Sequence, residues 1–162
     1  MKILVTVGSR HGASDEIGAA VRAALNDAGM EAEQVAPEQV TSLDGYDAVV
    51  IGSGVYAGRW VDSARRFVDG HLDELRTRPV WLFSSGPLGE PPKPDEEPAE
   101  GREMATRLGA REHRVFAGSL ERGKLNFGER AIVGLVKAPY GDFRSWPTIS
   151  AWAGSIARDL RS

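Results

Sequence analysis

Cysteine is absent from all 162 residues. That removes disulfides, thiolate metal sites, iron–sulfur clusters and every cysteine nucleophile, so redox chemistry here needs a bound cofactor. Histidine is scarce: His11, His71 and His113 stand far apart and show no metal-ligand spacing. Positive charge is not in excess either. The formal net charge is -3 and the isoelectric point about 5.7, so the broad cationic field that draws in nucleic acid is missing. No apolar run approaches the roughly 18 residues of a membrane span. Met1-Lys2-Ile3-Leu4-Val5 turns glycine-rich at Gly8 without the apolar core of a secretory leader. A cytoplasmic protein is expected, with contact at a membrane surface left open.

What is present reads as a globular chain. With 41% hydrophobic and 27% charged residues it can build a core, and its length suits one domain across residues 1–162. Ile3 to Val7 is a short β-branched run of the kind buried on both faces of a sheet. Ile17, Ala20, Val21, Ala24, Leu25 and Ala28 then recur at spacings of three and four, which predicts a helix ended by Gly29. Met30 to Val35, Ala48 to Ile51, Val80 to Phe83 and the region of Val115-Phe116-Ala117 supply four further strands. A helical stripe at Val61, Ala64, Val68, Leu72 and Leu75 lies between the third and fourth, and Ile149 to Leu160 form a last helix. Strands alternating with helices predict an α/β fold, a doubly wound five-stranded parallel sheet with helices on both faces.

Two segments interrupt the alternation. Residues 86–101 are rich in proline and carry Glu90, Asp95, Glu96, Glu97 and Glu100 against Lys93, which predicts an exposed, mobile acidic loop. From Arg102 to Arg144 basic residues outnumber acids, and the plain reading is a solvated face.

Ligands of open α/β sheets bind beyond the carboxyl ends of the strands, where strand order reverses. The loops there, after strands one, three and four, hold Gly8, Gly12, Gly52, Gly54, Gly58, Gly86 and Gly89, seven of the 19 glycines. Glycine would let the backbone approach a ligand closely. The first loop, Ser9-Arg10-His11-Gly12-Ala13-Ser14, lacks the Lys-Ser/Thr pair of a nucleotide triphosphatase and the three spaced glycines of a dinucleotide fold. No cysteine follows strand one for a phosphatase, and no Asp ends strand three for a phosphorelay receiver. What survives is a small hydroxyl-bearing loop leading into a helix N-terminus, suited to a phosphate monoester. Ser14 could equally cap that helix. Val55, Tyr56, Ala57, Gly58 and Trp60 offer a stacking surface for a flat conjugated ring, and Ser84, Ser85, Gly86, Pro87 and Leu88 offer hydroxyls and backbone groups for its edge. Together the three loops describe a pocket for FMN, with no catalytic side chain required and no metal expected.

These residues resemble the flavodoxin superfamily, and within it the branch of menaquinone-dependent protoporphyrinogen oxidases. The resemblance rests on Ile3 to Ser14, on Tyr46-Asp47-Ala48-Val49-Val50-Ile51-Gly52, on Gly58-Arg59-Trp60, and on Val115-Phe116-Ala117-Gly118-Ser119-Leu120. It implies strand order 2-1-3-4-5 and noncovalent FMN, with the phosphate in the first loop and the ring between the second and third. It further implies a redox partner protein, a quinone or a small-molecule substrate, with electron carriage or flavin-dependent oxidation as the activity. The acidic segment at 90–100 stands where that branch has a basic loop, and it would repel the carboxylates of a porphyrin. The apolar segment from Ile132 to Val136 with Trp146 and Trp152 suits a homodimer. Two alternatives stay open: a cofactor-free interaction module built on the same fold, and a nicotinamide-dependent reductase in which Glu31 or Glu33 binds a ribose.

Overall fold

A computed structural model of the chain describes residues 1–10, 12–56, 58–86, 99–117, 119–120, 141–142 and 144–162. Strand β1 (Lys2–Gly8) leads through the first loop into helix α1 (Ala13–Asp27), then strand β2 (Glu31–Gln34) and a 3-10 turn (Pro37–Gln39). Strand β3 (Ala48–Tyr56) turns back on a short strand β4 (Arg59–Trp60), followed by helices α2 (Asp62–Gly70) and α3 (Leu72–Arg76). Strand β5 (Val80–Ser85), helix α4 (Ala99–Leu108) and strand β6 (Glu112–Phe116) come next. A small ribbon of β7 (Ser119–Leu120) and β8 (Gly141–Asp142) precedes helix α5 (Trp146–Arg161).

The parallel strands run in the order β2-β1-β3-β5-β6, with β4 added antiparallel to β3. This is the expected doubly wound order; the hairpin strand β4 was not foreseen. Because side chains alternate along each strand, the two sheet faces collect different residues. Ile3, Val5, Val7, Val50, Trp81 and Phe83 pack beneath α1 and α5. Leu4, Val49, Ile51, Val80 and Leu82 pack against α2, α3 and α4 through Phe67, Leu75 and Met104. Phe83, Phe116 and Trp152 form an aromatic cluster with centroids 5.3 to 6.0 Å apart. Burying each such ring is worth about 1.5–3 kcal/mol.

Gly29 ends α1 as expected, at φ 89°, with Met30 N–H donating to Leu25 carbonyl and Gly29 N–H to Asn26 carbonyl. Elsewhere the boundaries moved. The single stripe from Val61 to Leu75 is two helices broken at His71, whose φ of -123° leaves the helical region. Strand β3 runs five residues past Ile51, through Gly52-Ser53-Gly54, because those residues pair with β1 and β5 instead of opening into a loop. Helix α4 begins at Ala99, inside the acidic segment expected to be a loop; residues 87–98 of that segment lie outside the described residues.

Candidate phosphate and ring site at the sheet edge

Strands β1, β3 and β5 end side by side. Of the glycines gathered there, most serve packing. A Cβ on Gly52 would lie 2.1 Å from Phe83, one on Gly8 2.9 Å from Ala64, and one on Gly54 3.0 Å from Ser14 Oγ. Gly12 and Gly58 differ: both hold positive φ, 89° and 79°, and a Cβ on either would meet nothing within 4 Å among the described residues. Gly12 and Gly58 serve the turn itself, while Gly8, Gly52 and Gly54 let packed elements touch; Gly89 lies outside the described residues.

Gly12 is the N-cap of α1, and no side chain caps that helix. Ser14 therefore does not play the capping role open to it. It is the second residue of the helix, 5% exposed, with its Oγ against Gly54. The N–H groups of Ala13, Ser14 and Asp15 open the helix with no preceding turn to accept them, which makes this end a donor cluster carrying the positive end of the helix dipole. Ser9 Oγ accepts the Gly12 N–H at 3.0 Å, folding the loop over the helix end, and the hydroxyl keeps its own hydrogen for donation. His11 lies outside the described residues.

The second loop reaches the first through Arg10, whose guanidinium stands 4.2 Å from the centre of the Tyr56 ring. Val55 and Tyr56 are half-buried at the end of β3. Trp60 corrects the expectation of a stacking ring. The β3–β4 hairpin pairs it with Val55, which turns it into the core on the α2 side, 2% exposed, with Nε1 donating to Ser84 Oγ at 2.7 Å. Ser84 is likewise fully buried and also joins His113 Nε2 at 2.8 Å, so neither Trp60 nor Ser84 presents itself to a ring. A Cβ on Gly101 would lie 2.5 Å from that His113 nitrogen, so this glycine is what lets α4 close over the pair. Ser85 is 5% exposed, and Gly86 donates its N–H to Phe116 carbonyl at 3.2 Å. Ala57, Pro87 and Leu88 lie outside the described residues.

One residue of this neighbourhood gave no signal in sequence. Arg144, just ahead of α5, donates from Nη1 to Ala13 carbonyl at 3.2 Å, stands 3.3 Å from Glu16, and lies over Trp146. It sits in a basic stretch that reads as a solvated face, yet its side chain is 7% exposed.

The acids considered for a ribose are placed elsewhere. Glu33 accepts from the Tyr46 hydroxyl, which holds its carboxyl below the usual range, and pairs with Lys2. Burial, with that bond, pushes Tyr46 up to about 12. The carboxyl end of β2, where a ribose-binding acid belongs, carries Gln34, whose amide donates to Asp15 carbonyl at 3.1 Å. Among the described residues no group of three His, Asp or Glu could hold a metal ion, and no helix is long and apolar enough to cross a membrane.

With this geometry in place, residues 4–145 match the family model of the flavodoxin domain. The chain belongs to the flavodoxin-domain family. It is 22% identical over 172 residues to a protoporphyrinogen IX dehydrogenase [quinone] of Escherichia coli K12, covering 97% of this chain and 95% of that one. Its fold matches a flavodoxin variant from Pseudomonas aeruginosa with TM-score 0.66 at 17% identity, each chain covered in full. It also matches the rubredoxin oxygen:oxidoreductase of Desulfovibrio gigas with TM-score 0.67 at 11% identity, over 99% of this chain and 36% of the other. At those identities the two structures speak for the fold alone.

Proposed function

We propose that this chain binds one FMN noncovalently at the β1, β3 and β5 edge and works as a redox protein. The observation that carries this reading is the start of α1 behind Gly12, where no side chain among the described residues caps the helix and Ser9 folds the loop over its end. Ser9, Gly12, Ala13 and Ser14 would hold the phosphate, with His11 beside them in the same loop. Val55, Tyr56, Ala57 and Gly58 would line one side of the ring and Ser85, Gly86, Pro87 and Leu88 the other, leaving Trp60 and Ser84 as supports beneath. The donor set fits, since a dianion at a helix N-terminus needs N–H and hydroxyl donors more than a formal charge. When bound, FMN supplies the one- and two-electron chemistry that a chain without cysteine cannot perform. The protein's own part is to place the ring edge, to exclude water with Tyr56 and Val55, and to set the local charge through Arg10.

Electrons would pass to or from a quinone or a partner redox protein. A quinone is favoured because the Escherichia coli relative, similar over nearly the whole chain, carries a quinone in its name. A dinucleotide reading gains no support from β2, where Gln34 replaces the acid. The test is equilibrium titration of the purified protein with FMN, followed by quenching of flavin fluorescence. Dissociation constants below about 10 μM are expected, and absence of quenching removes the reading.

A further inference from the structure

We propose that Glu100 is a positioning residue for the flavin ring: from the start of α4 its carboxylate holds the β3–β4 hairpin in the pose that presents Tyr56. This rests on the FMN reading above. Strand β4 has two residues, and so short a ribbon keeps its shape only when it is packed or tied to its surroundings. Trp60 ties it to β5 through Ser84. Its other residue, Arg59, stands opposite Tyr56 in the antiparallel register, with Nε 3.6 Å from Glu100 Oε2. Arg65 of α2 approaches the same carboxylate, its Nε 3.4 Å from Glu100 Oε1, while its Nη2 donates to Asp62. One carboxylate therefore links α4, α2 and the hairpin.

An exposed ion pair holds little, because water screens it. Here the acid is withdrawn: the Glu100 side chain is 18% exposed against 64% for Arg59. Glu100 Oε1 and Arg65 Nε are both shielded from water, and neither makes a hydrogen bond, so each has the other as its countercharge. Removing one would leave the other buried and uncompensated. The next residue of α4 acts on the same hairpin from below. A Cβ on Gly101 would lie 3.0 Å from Ser84 Oγ, so a larger residue would press on the bond that holds Trp60. The first turn of α4 thus meets both ties of the hairpin, Arg59 through Glu100 and Trp60 through Ser84.

A carboxylate that only stabilises the fold would loosen the whole chain when removed, whereas one that positions the hairpin loosens that ribbon first. Amide hydrogen exchange of the purified protein separates the two. In Glu100→Gln the amides of Val55, Tyr56, Arg59 and Trp60 should exchange about tenfold faster, while those in the middle of β1 change by less than about twofold. FMN and riboflavin share the ring and differ in the phosphate, so both should weaken by the same factor, about threefold to tenfold. Equal acceleration in the hairpin and in β1, loss of FMN affinity alone, or no change in either measurement overturns the assignment. Arg59→Gln is an exposed change that keeps the test open should Glu100→Gln fail to fold. It should speed the same four amides and weaken both flavins alike; unchanged exchange there overturns the assignment as well. Should the wild-type protein bind neither flavin, the FMN reading fails first, and the exchange rates still decide whether Glu100 holds the hairpin.

Discussion

The Arg10 guanidinium lies 4.2 Å from the centre of the Tyr56 ring, joining the loop after β1 to the end of β3. It places a cation at the junction of the phosphate and ring positions proposed for FMN. A positive charge there favours the more negative, reduced state of a bound flavin.

Removing that charge should lower the midpoint potential. If Arg10 favours reduced over oxidised FMN about tenfold, Arg10→Gln shifts a one-electron couple down by about 59 mV, and Arg10→Glu shifts it further. Dye-coupled equilibrium titration measures this. A potential unchanged in both variants would show that Arg10 only packs against Tyr56.

Gly12 tests the turn itself. At φ 89°, and with no described residue within 4 Å of an added Cβ, its replacement acts through the backbone. Gly12→Ala should cost about 1–2 kcal/mol of stability and weaken FMN by more than that loss of fold explains. The comparison is urea unfolding against FMN titration. Gly58→Ala, with the same strain on the second loop, should cost similar stability and disturb the ring more than the phosphate.

Gly52 makes the opposite case. Its Cβ position lies 2.1 Å from Phe83, a ring held in the aromatic cluster with Phe116 and Trp152. Gly52→Ala overpacks the sheet face and should destabilise by about 1–3 kcal/mol. Chemical denaturation reads this, and a change under about 0.5 kcal/mol would mean that Phe83 moves aside at little cost.

Much of the scaffold was legible in sequence because buried parallel strands are continuous apolar runs and α1 carries its stripe and its terminal Gly29. The loops were less legible. Glycine at a strand end looks the same whether a ligand, Phe83 or Ser14 needs the space, so Gly52 and Gly54 read as ligand positions when they serve packing. Trp60 read as a surface ring because nothing local shows that β4 pairs back on β3 and turns it toward Ser84. Arg144 was hidden by distance along the chain; its partners Ala13 and Glu16 are brought to it only by the packing of α5 on α1.

Asp15 gives a pH dependence with a definite sign. Burial, and after it the charge of Glu38, raise its carboxyl above the ordinary 3.8. A raised folded value means that its contribution is fully present below the unfolded value and is lost as pH rises through the folded one. Asp15→Asn should therefore unfold at higher urea than the wild type near neutral pH, with the gain vanishing in acid. It should also bind FMN more tightly, having lost an anion beside the phosphate loop. A gain of equal size at both pH values would assign the effect to something other than the carboxylate.

The central claim is that the uncapped start of α1 holds the phosphate of FMN, and competition between FMN and riboflavin for wild type and Ser14→Asp tests it most directly. Ser14 is the second residue of α1, buried against Gly54, and a carboxylate there would put a negative charge at the N–H donors of the first turn. The wild type should prefer FMN, and the variant should lose FMN binding while the riboflavin that remains bound reports an intact ring site. Equal affinity of the wild type for both flavins, or FMN binding unchanged by Ser14→Asp, would contradict the account.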